Sequence, residues 1–258
     1  MHRRAITMYA KLVNNLDILG FTDVEPYLSK YLSKAAKEGV TVQDALLEIS
    51  NREIELRDKR AAQIQVSVSH FPFIKSFDEY DFHFQPTVNK SEVKDLFSLR
   101  FMEQKENILF YGTPGTGKTH LATAIGIEAA KKRRITYFIT CHDLIQTLRK
   151  AHDENRLERR LKHFAKYKLL IIDEIGYLPV DKTGANLLFQ LIAKRYEHNS
   201  TIITSNQPFS KWGEVFSDPM LANAILDRLL HHSHVIKMVG PSYRTKDYYE
   251  LLENEDSN

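Results

Sequence analysis

Gly112, Thr113, Pro114, Gly115, Thr116, Gly117, Lys118 and Thr119 stand between an apolar run, Ile108 to Tyr111, and a helix-forming one, Leu121 to Ala130. That order predicts a strand, a tight loop and a helix start, and the chemistry it suits is phosphate binding. The three glycines let successive backbone N–H groups converge on an anion, and the positive end of the following helix points the same way. Lys118 would reach the β- and γ-phosphates of a nucleoside triphosphate such as ATP, Thr119 would offer its hydroxyl to Mg2+, and His120 is counted with the cradle.

A second set of groups lies downstream. Leu169 to Ile172 predicts a buried strand that ends in Asp173 and Glu174. Beside a phosphate loop, Asp173 would hold the metal through its water shell and Glu174 would polarise an attacking water. An acid after the metal-binding aspartate favours hydrolysis over transfer to a bound acceptor, which weakens the rival reading of a small-molecule kinase. Thr201 to Ser205 predicts another strand, and the amide of Asn206 at its end either reaches between the γ-phosphate and the water or serves as a turn residue before Gln207 and Pro208. Arg228, on a helical run from Met220 to His231, could enter the site of an adjacent subunit. Arg244 could fold over the phosphates of its own chain. Solvated arginines are the alternative for both.

Residues 149 to 168 hold eight basic side chains against three acidic ones, while Leu157, Leu161 and Phe164 keep one apolar helical stripe. A buried stripe backed by a basic face suits a helix that tracks nucleic-acid phosphates, with Arg149, Lys150, Arg156, Arg159, Arg160 and Lys162 as the contacts; a merely solvated face would give the same pattern. The basic run Lys131 to Arg134 suits the end of a helix, where it complements the dipole. His231, His232 and His234 have no spaced cysteine or carboxylate partners in sequence, so a strand-entry turn is expected rather than a metal site.

The elements that must position these groups follow from patterning. With 258 residues and 43% hydrophobic content, the chain can bury the core of one large domain with an appendage. Cys141 is the single cysteine, so an internal disulfide framework is excluded. No apolar run is long enough to span a bilayer or to serve as a secretory signal, and a cytoplasmic location is expected. Net charge is +3, but residues 250 to 258 carry four acids and no base, so the remainder is more basic. A nucleic-acid partner is permitted and a membrane partner is not expected.

Residues 1 to 62 read as a small all-α domain for a partner or for DNA. Ile6, Tyr9, Leu12, Val13, Leu16 and Leu19 keep helical spacing up to Gly20, Val24 to Ala35 repeat it up to Gly39, and a third helix starts at Thr41 and runs into the charged stretch Arg52 to Arg60. Residues 63 to 90, rich in aromatics around Pro72 and Pro86, read as a linker that packs. Its rings would fill core, or close on a purine. Residues 91 to 258 then form the catalytic domain: a helix from Ser91 to about Lys105, followed by strands at Asn107 to Tyr111, Thr136 to Thr140, Lys168 to Asp173, Thr201 to Ser205 and His234 to Val239 with helices between them. Such alternation predicts an α/β fold, a five-stranded parallel sheet with flanking helices and ligands at the carboxyl ends of the strands.

With Gly112 to Thr119, Asp173-Glu174, Asn206, Arg228 and Arg244 in this order, the chain resembles the P-loop AAA+ ATPases. The branch is that of helicase loaders (DnaC-like), replication initiators (DnaA-like) and insertion-sequence ATP-binding proteins (IstB-like). The last group is the nearest likeness, on Phe71-Pro72, Phe77 to Phe82, Asp173-Glu174-Ile175-Gly176-Tyr177, Thr204-Ser205-Asn206, Asp227-Arg228-Leu229 and Ser242-Tyr243-Arg244. The resemblance implies Asn206 as a sensor, Arg228 as an arginine finger acting in trans, Arg244 as a second sensor acting in cis, and the basic segment as the helical insertion that lines a DNA channel. It implies ATP hydrolysis at sites between subunits of a homo-oligomer on duplex DNA, in the service of a transposase that captures target DNA. Loading of a replicative helicase on single-stranded DNA is the alternative. Only Tyr243 to Leu252 follow the last strand in place of a helical lid, so the module is abbreviated.

Overall fold

The computed structural model describes residues 7–21 and 24–246. The chain divides into two compact units, Met1–Gln63 and Ile64–Asn258. In the first, α1 (Met8–Ile18), α2 (Glu25–Glu38) and most of α3 (Val42–Val68) enclose Val24, Leu28 and Ile49, with Val13, Leu16, Tyr31 and Leu32 packed around them. Local chemistry sets the helix ends. The Thr7 hydroxyl caps α1, Gly39 ends α2 at a φ of 66°, and Thr41 exchanges hydrogen bonds with Asp44 at the start of α3. Two expectations are corrected here. Leu12 and Leu19 are 40% and 69% exposed, because the three helices share only a narrow strip of core around Val24, Leu28 and Ile49. Helix α3 runs through the charged stretch as expected but continues to Val68, past residue 63 where the linker was read to begin, since Arg, Glu, Gln and Ala are all good helix formers. Ile6 and the acidic stretch 250 to 258 lie outside the described residues.

The second unit is built on five parallel strands, β1 (Asn107–Gly112), β2 (Thr136–Thr140), β3 (Leu169–Ile175), β4 (Ser200–Ser205) and β5 (Ser233–Met238), in the order β2-β3-β4-β1-β5. Helices α4 (Lys90–Leu96), α5 (Arg100–Gln104), α6 (Lys118–Lys131), α7 (Cys141–Asp153), α8 (Leu157–Ala165), α9 (Lys182–Arg195), α10 (Trp212–Val215) and α11 (Pro219–Leu230) complete it. The sheet is covered on both faces, and strand alternation divides its side chains between two cores. Leu109, Leu170, Ile172 and Ile203 pack with Leu144, Leu188, Trp212 and Ile225, whereas Ile108, Leu169, Ile171 and Ile202 pack with Leu121 and Ile125 of α6. Burial on both sides is why these strands read as unbroken apolar runs.

The helix expected from Ser91 to Lys105 is two helices. Leu99, buried at a φ of 64°, breaks it. Leu99 and Phe101 both enter the core beneath α6, but in one continuous helix residues two apart point roughly 200° away from each other. The aromatic segment supplies core: Tyr80 and Val88 are buried, and Phe71, Phe77 and Phe82 pack against them. After β5 the described chain makes one short turn, Tyr243–Thr245; residues 247 to 252 lie outside the described residues.

Candidate nucleotide site and basic cleft

The phosphate loop leaves β1, which lies between β4 and β5, at the carboxyl edge of the sheet. Strand order reverses there, and ligands of open α/β sheets bind at such a point. Gly112 has a φ of 141°, and a Cβ on it would overlap the Met238 carbonyl of β5; Gly117 has a φ of 87°, and a Cβ would meet the Tyr80 ring at 2.5 Å. These two glycines are dictated by backbone shape and by close approach. Tyr80 supports the loop from beneath, its hydroxyl donating to the Thr116 carbonyl at 2.8 Å, while His120 Nε2 meets the Ser76 carbonyl at 2.8 Å. His120 is thus tied to the aromatic segment. From above, the stretch after β5 is laced to the loop: Thr113 N–H donates to Met238 O, Gly240 N–H to the Thr113 hydroxyl, and Tyr243 N–H to Gly115 O.

Lys118 is buried at the first position of α6, and its ammonium donates to the carbonyls of Gly112 at 2.9 Å and Thr113 at 2.6 Å. Burial pushes its pKa down to about 8; Asp173 opposes that shift and the nearby Arg244 adds to it. Arg244 is exposed and stands within electrostatic reach of the lysine, on the same side as the cradle. An anion would restore the charge that burial disfavours.

Asp173 is 4% exposed, and burial raises its pKa against the hydrogen bonds that hold it. Those bonds come from Thr119 Oγ1 at 2.9 Å and Thr204 Oγ1 at 2.5 Å. The Thr119 hydroxyl and the Asp173 carboxylate are hard oxygen donors set side by side, a fit for Mg2+ with part of its water shell. Glu174 is exposed at a φ of 63° and lines a cavity of about 310 Å³ with Thr140, Gln146, Arg149 and Tyr177. Asn206 follows β4, and its Oδ1 is enclosed without a protein hydrogen-bond partner. The cradle, the two acids, Asn206 and Arg244 therefore share one edge of the sheet.

Arg228 does not. It sits in the last turn of α11, donates to Ala224 O at 3.0 Å and stacks over the Phe189 ring at 4.7 Å. That turn leads into the start of β5, so the length of a six-residue strand, roughly 20 Å, separates it from the carboxyl edge.

The basic segment is also divided by the fold. Asn155, at a φ of 55°, ends α7 and starts the turn into α8, whose Leu161 and Phe164 are buried. Lys150, Arg156, Arg159 and Arg160 then converge, with Thr147, Glu154 and His163, on a cleft of about 470 Å³. Arg149 turns the other way, pairs with Asp181 and lines the cavity that holds Glu174. Lys162 is paired with Glu158 at 3.5 Å and does not line the cleft. Burial, then Lys166 and Arg160, depress the pKa of His163, so that ring enters the cleft neutral.

Thr147 and His163 escaped the sequence reading, for nothing local marks them, and Thr204 entered it only as part of a strand end, with no role of its own. The histidines form the expected turn into β5, with one spatial neighbour that the sequence did not show. Glu197, from the α9–β4 connection, joins His231 and His232 so that their ligand atoms lie within 4.8 Å of one another on the surface. His231 Nδ1 is already engaged by the Tyr196 hydroxyl at 2.6 Å, and His234 bonds Glu106 at 2.9 Å. Among the described residues, no helix is long and apolar enough to cross a membrane.

Comparison with known proteins agrees with this geometry. The protein named as the ATP-binding protein of insertion sequence IS232, from Bacillus thuringiensis subsp. berliner, is 53% identical over 93% of this chain and 96% of its own. The corresponding IS5376 protein of Geobacillus stearothermophilus is 46% identical over 83% and 85%. Among solved structures, the DnaC helicase loader superposes with a TM-score of 0.51 at 25% identity, covering 58% of this chain and 87% of that one. Residues 15–250 match the family described as IstB-like ATP binding protein, and the chain, an α/β P-loop protein of AAA+ fold, belongs to that family.

Proposed function

We propose that this chain is an ATP-hydrolysing, DNA-binding helper that assembles on duplex DNA with ATP and assists a transposase in selecting and capturing target DNA. ATP would lie in the cradle with its β- and γ-phosphates on Lys118, and Mg2+ would be held by Thr119 and Asp173. Glu174 orients the attacking water, Asn206 faces the γ-phosphate, and Arg244 closes over the site in cis. The observation that supports hydrolysis is the hydrogen bond from Thr119, at the end of the phosphate loop, to Asp173, with the exposed carboxylate of Glu174 next in the chain and within electrostatic reach of Asp173. Arg228, on the far edge of the sheet, serves the site of a neighbouring copy, which makes catalysis depend on assembly.

Lys150, Arg156, Arg159 and Arg160 bind the DNA backbone, with Lys162 at the rim of the same surface; Arg149, beside Glu174, stands at the boundary between the DNA and nucleotide regions. The N-terminal helices meet the partner or the DNA. Insertion-sequence relatives match over nearly the whole of both chains, while the helicase loader covers 58% of this one, and that favours transposition over helicase loading. The test is ATPase activity with and without duplex DNA, for the wild type and Arg228→Ala. Stimulation by DNA and loss of hydrolysis with retained nucleotide binding in the variant are expected. No stimulation, together with full activity in the variant, would remove the proposal.

A further inference from the structure

Strands β3 and β4 run in register up to Ile172 opposite Ile203, and again at Ile175 opposite Ser205. Between those pairs two residues, Asp173 and Glu174, face one, Thr204. The irregularity is a β-bulge, a device that re-aims side chains beside active sites. Its second residue, Glu174, has a left-handed backbone at a φ of 63°, which a non-glycine residue holds only when its surroundings impose it. Thr204, buried at 2% exposure, does the imposing: its Oγ1 donates to Asp173 Oδ1 at 2.5 Å and accepts the Glu174 backbone N–H at 2.9 Å. One hydroxyl therefore serves the orphan amide of the bulge and the carboxylate beside it.

We infer that Thr204 is the positioning residue of the catalytic pair, fixing where Glu174 stands relative to Asp173 and so governing turnover rather than nucleotide binding. The inference rests on the reading of those two acids as catalytic. The Thr204 hydroxyl has as its hydrogen-bond partners among the described residues only the two members of the bulge. Thr119 holds Asp173 independently, so that carboxylate keeps one anchor when Thr204 is changed, whereas the Glu174 amide keeps none.

The test compares Thr204→Val, which preserves shape and removes the hydroxyl, with Thr204→Ser, which keeps it. Three measurements are made on the full chain: equilibrium binding of a fluorescent ATP analogue, kcat and KM for ATP hydrolysis, and hydrogen exchange of the Glu174 amide. Thr204→Val should bind the analogue within about twofold of wild type, lose at least about tenfold in kcat, as removal of a single positioned hydrogen bond does in other sites, and exchange the Glu174 amide at least about tenfold faster. Thr204→Ser should restore all three. Wild-type turnover and amide protection in Thr204→Val would overturn the inference, as would equal damage in the serine variant or a loss confined to nucleotide binding. Should the wild type hydrolyse no ATP, the proposed function fails, and the amide exchange still decides whether Thr204 holds the bulge.

Discussion

The nucleotide cradle and the basic cleft, the two regions proposed to meet phosphate, are constructed in opposite ways. In the cradle buried and half-buried side chains hold one another and the loop: Lys118 bonds two loop carbonyls, Thr119 and Thr204 bond Asp173, and Tyr80 bonds the Thr116 carbonyl. Burial magnifies each of these interactions and punishes misplacement. In the cleft the charges are on long side chains at the surface, and Arg156 is paired with the neighbouring Glu154. Water screens each one, so affinity for the proposed DNA would come from the number of cations and the release of counterions. On the proposed function, preorganisation carries chemistry in the first region and summed charge carries adhesion in the second.

The largest separation between the two regions is expected from Lys118→Ala. ATP binding and hydrolysis should fall by about a hundredfold or more, the scale of losing a charged donor from a preorganised site, while nucleotide-free DNA binding measured by fluorescence anisotropy stays unchanged. Weakened DNA binding in that variant would merge the two regions into one. Glu174→Gln divides the cradle itself: turnover should drop about a hundredfold with nucleotide affinity within about threefold of wild type. Equal losses in both would assign Glu174 to binding.

A smaller effect is expected in the cleft. Arg159→Ala with Arg160→Ala should weaken duplex binding by about tenfold and lower the slope of log K against log salt by roughly 2, one unit for each lost phosphate contact. Basal ATP hydrolysis should not change, and a salt slope equal to that of wild type would remove both arginines from the DNA surface. The smallest effect concerns pH. Lys118 loses its proton as pH rises through about 8, and phosphate favours the charged form, so ATP affinity should be flat below that value and weaken above it. Affinity that instead rises with pH between 8 and 9 would show that another group controls binding.

How much of this was legible depended on distance along the chain. The strand, loop and helix start around Gly112 to Thr119 are neighbours in sequence, and hydrophobic patterning located all five strands within a residue or two. Three matters were not legible. The break at Leu99 is forced by a core that needs Leu99 and Phe101 on one side, which no periodicity within residues 91 to 105 reveals. The basic segment is divided twice: Arg149 and Lys150, adjacent on α7, face different cavities, and the turn at Asn155 brings Arg156, Arg159 and Arg160 to the side of Lys150. Glu197 reaches His231 and His232 only because α9 and α11 end at the same edge of the sheet.

Sequence alone determined the identity of the phosphate loop, the acidic strand end and the alternation of strands and helices. Each of these is a local preference of backbone and side chain, repeated within a few residues. Tertiary structure decided which cations share a surface, which arginine stands apart from its own site, and that Thr204 faces the bulge at Asp173 and Glu174. Those relations join segments tens of residues apart, and they exist only once β3 has paired with β4 and the helices have closed over both faces of the sheet.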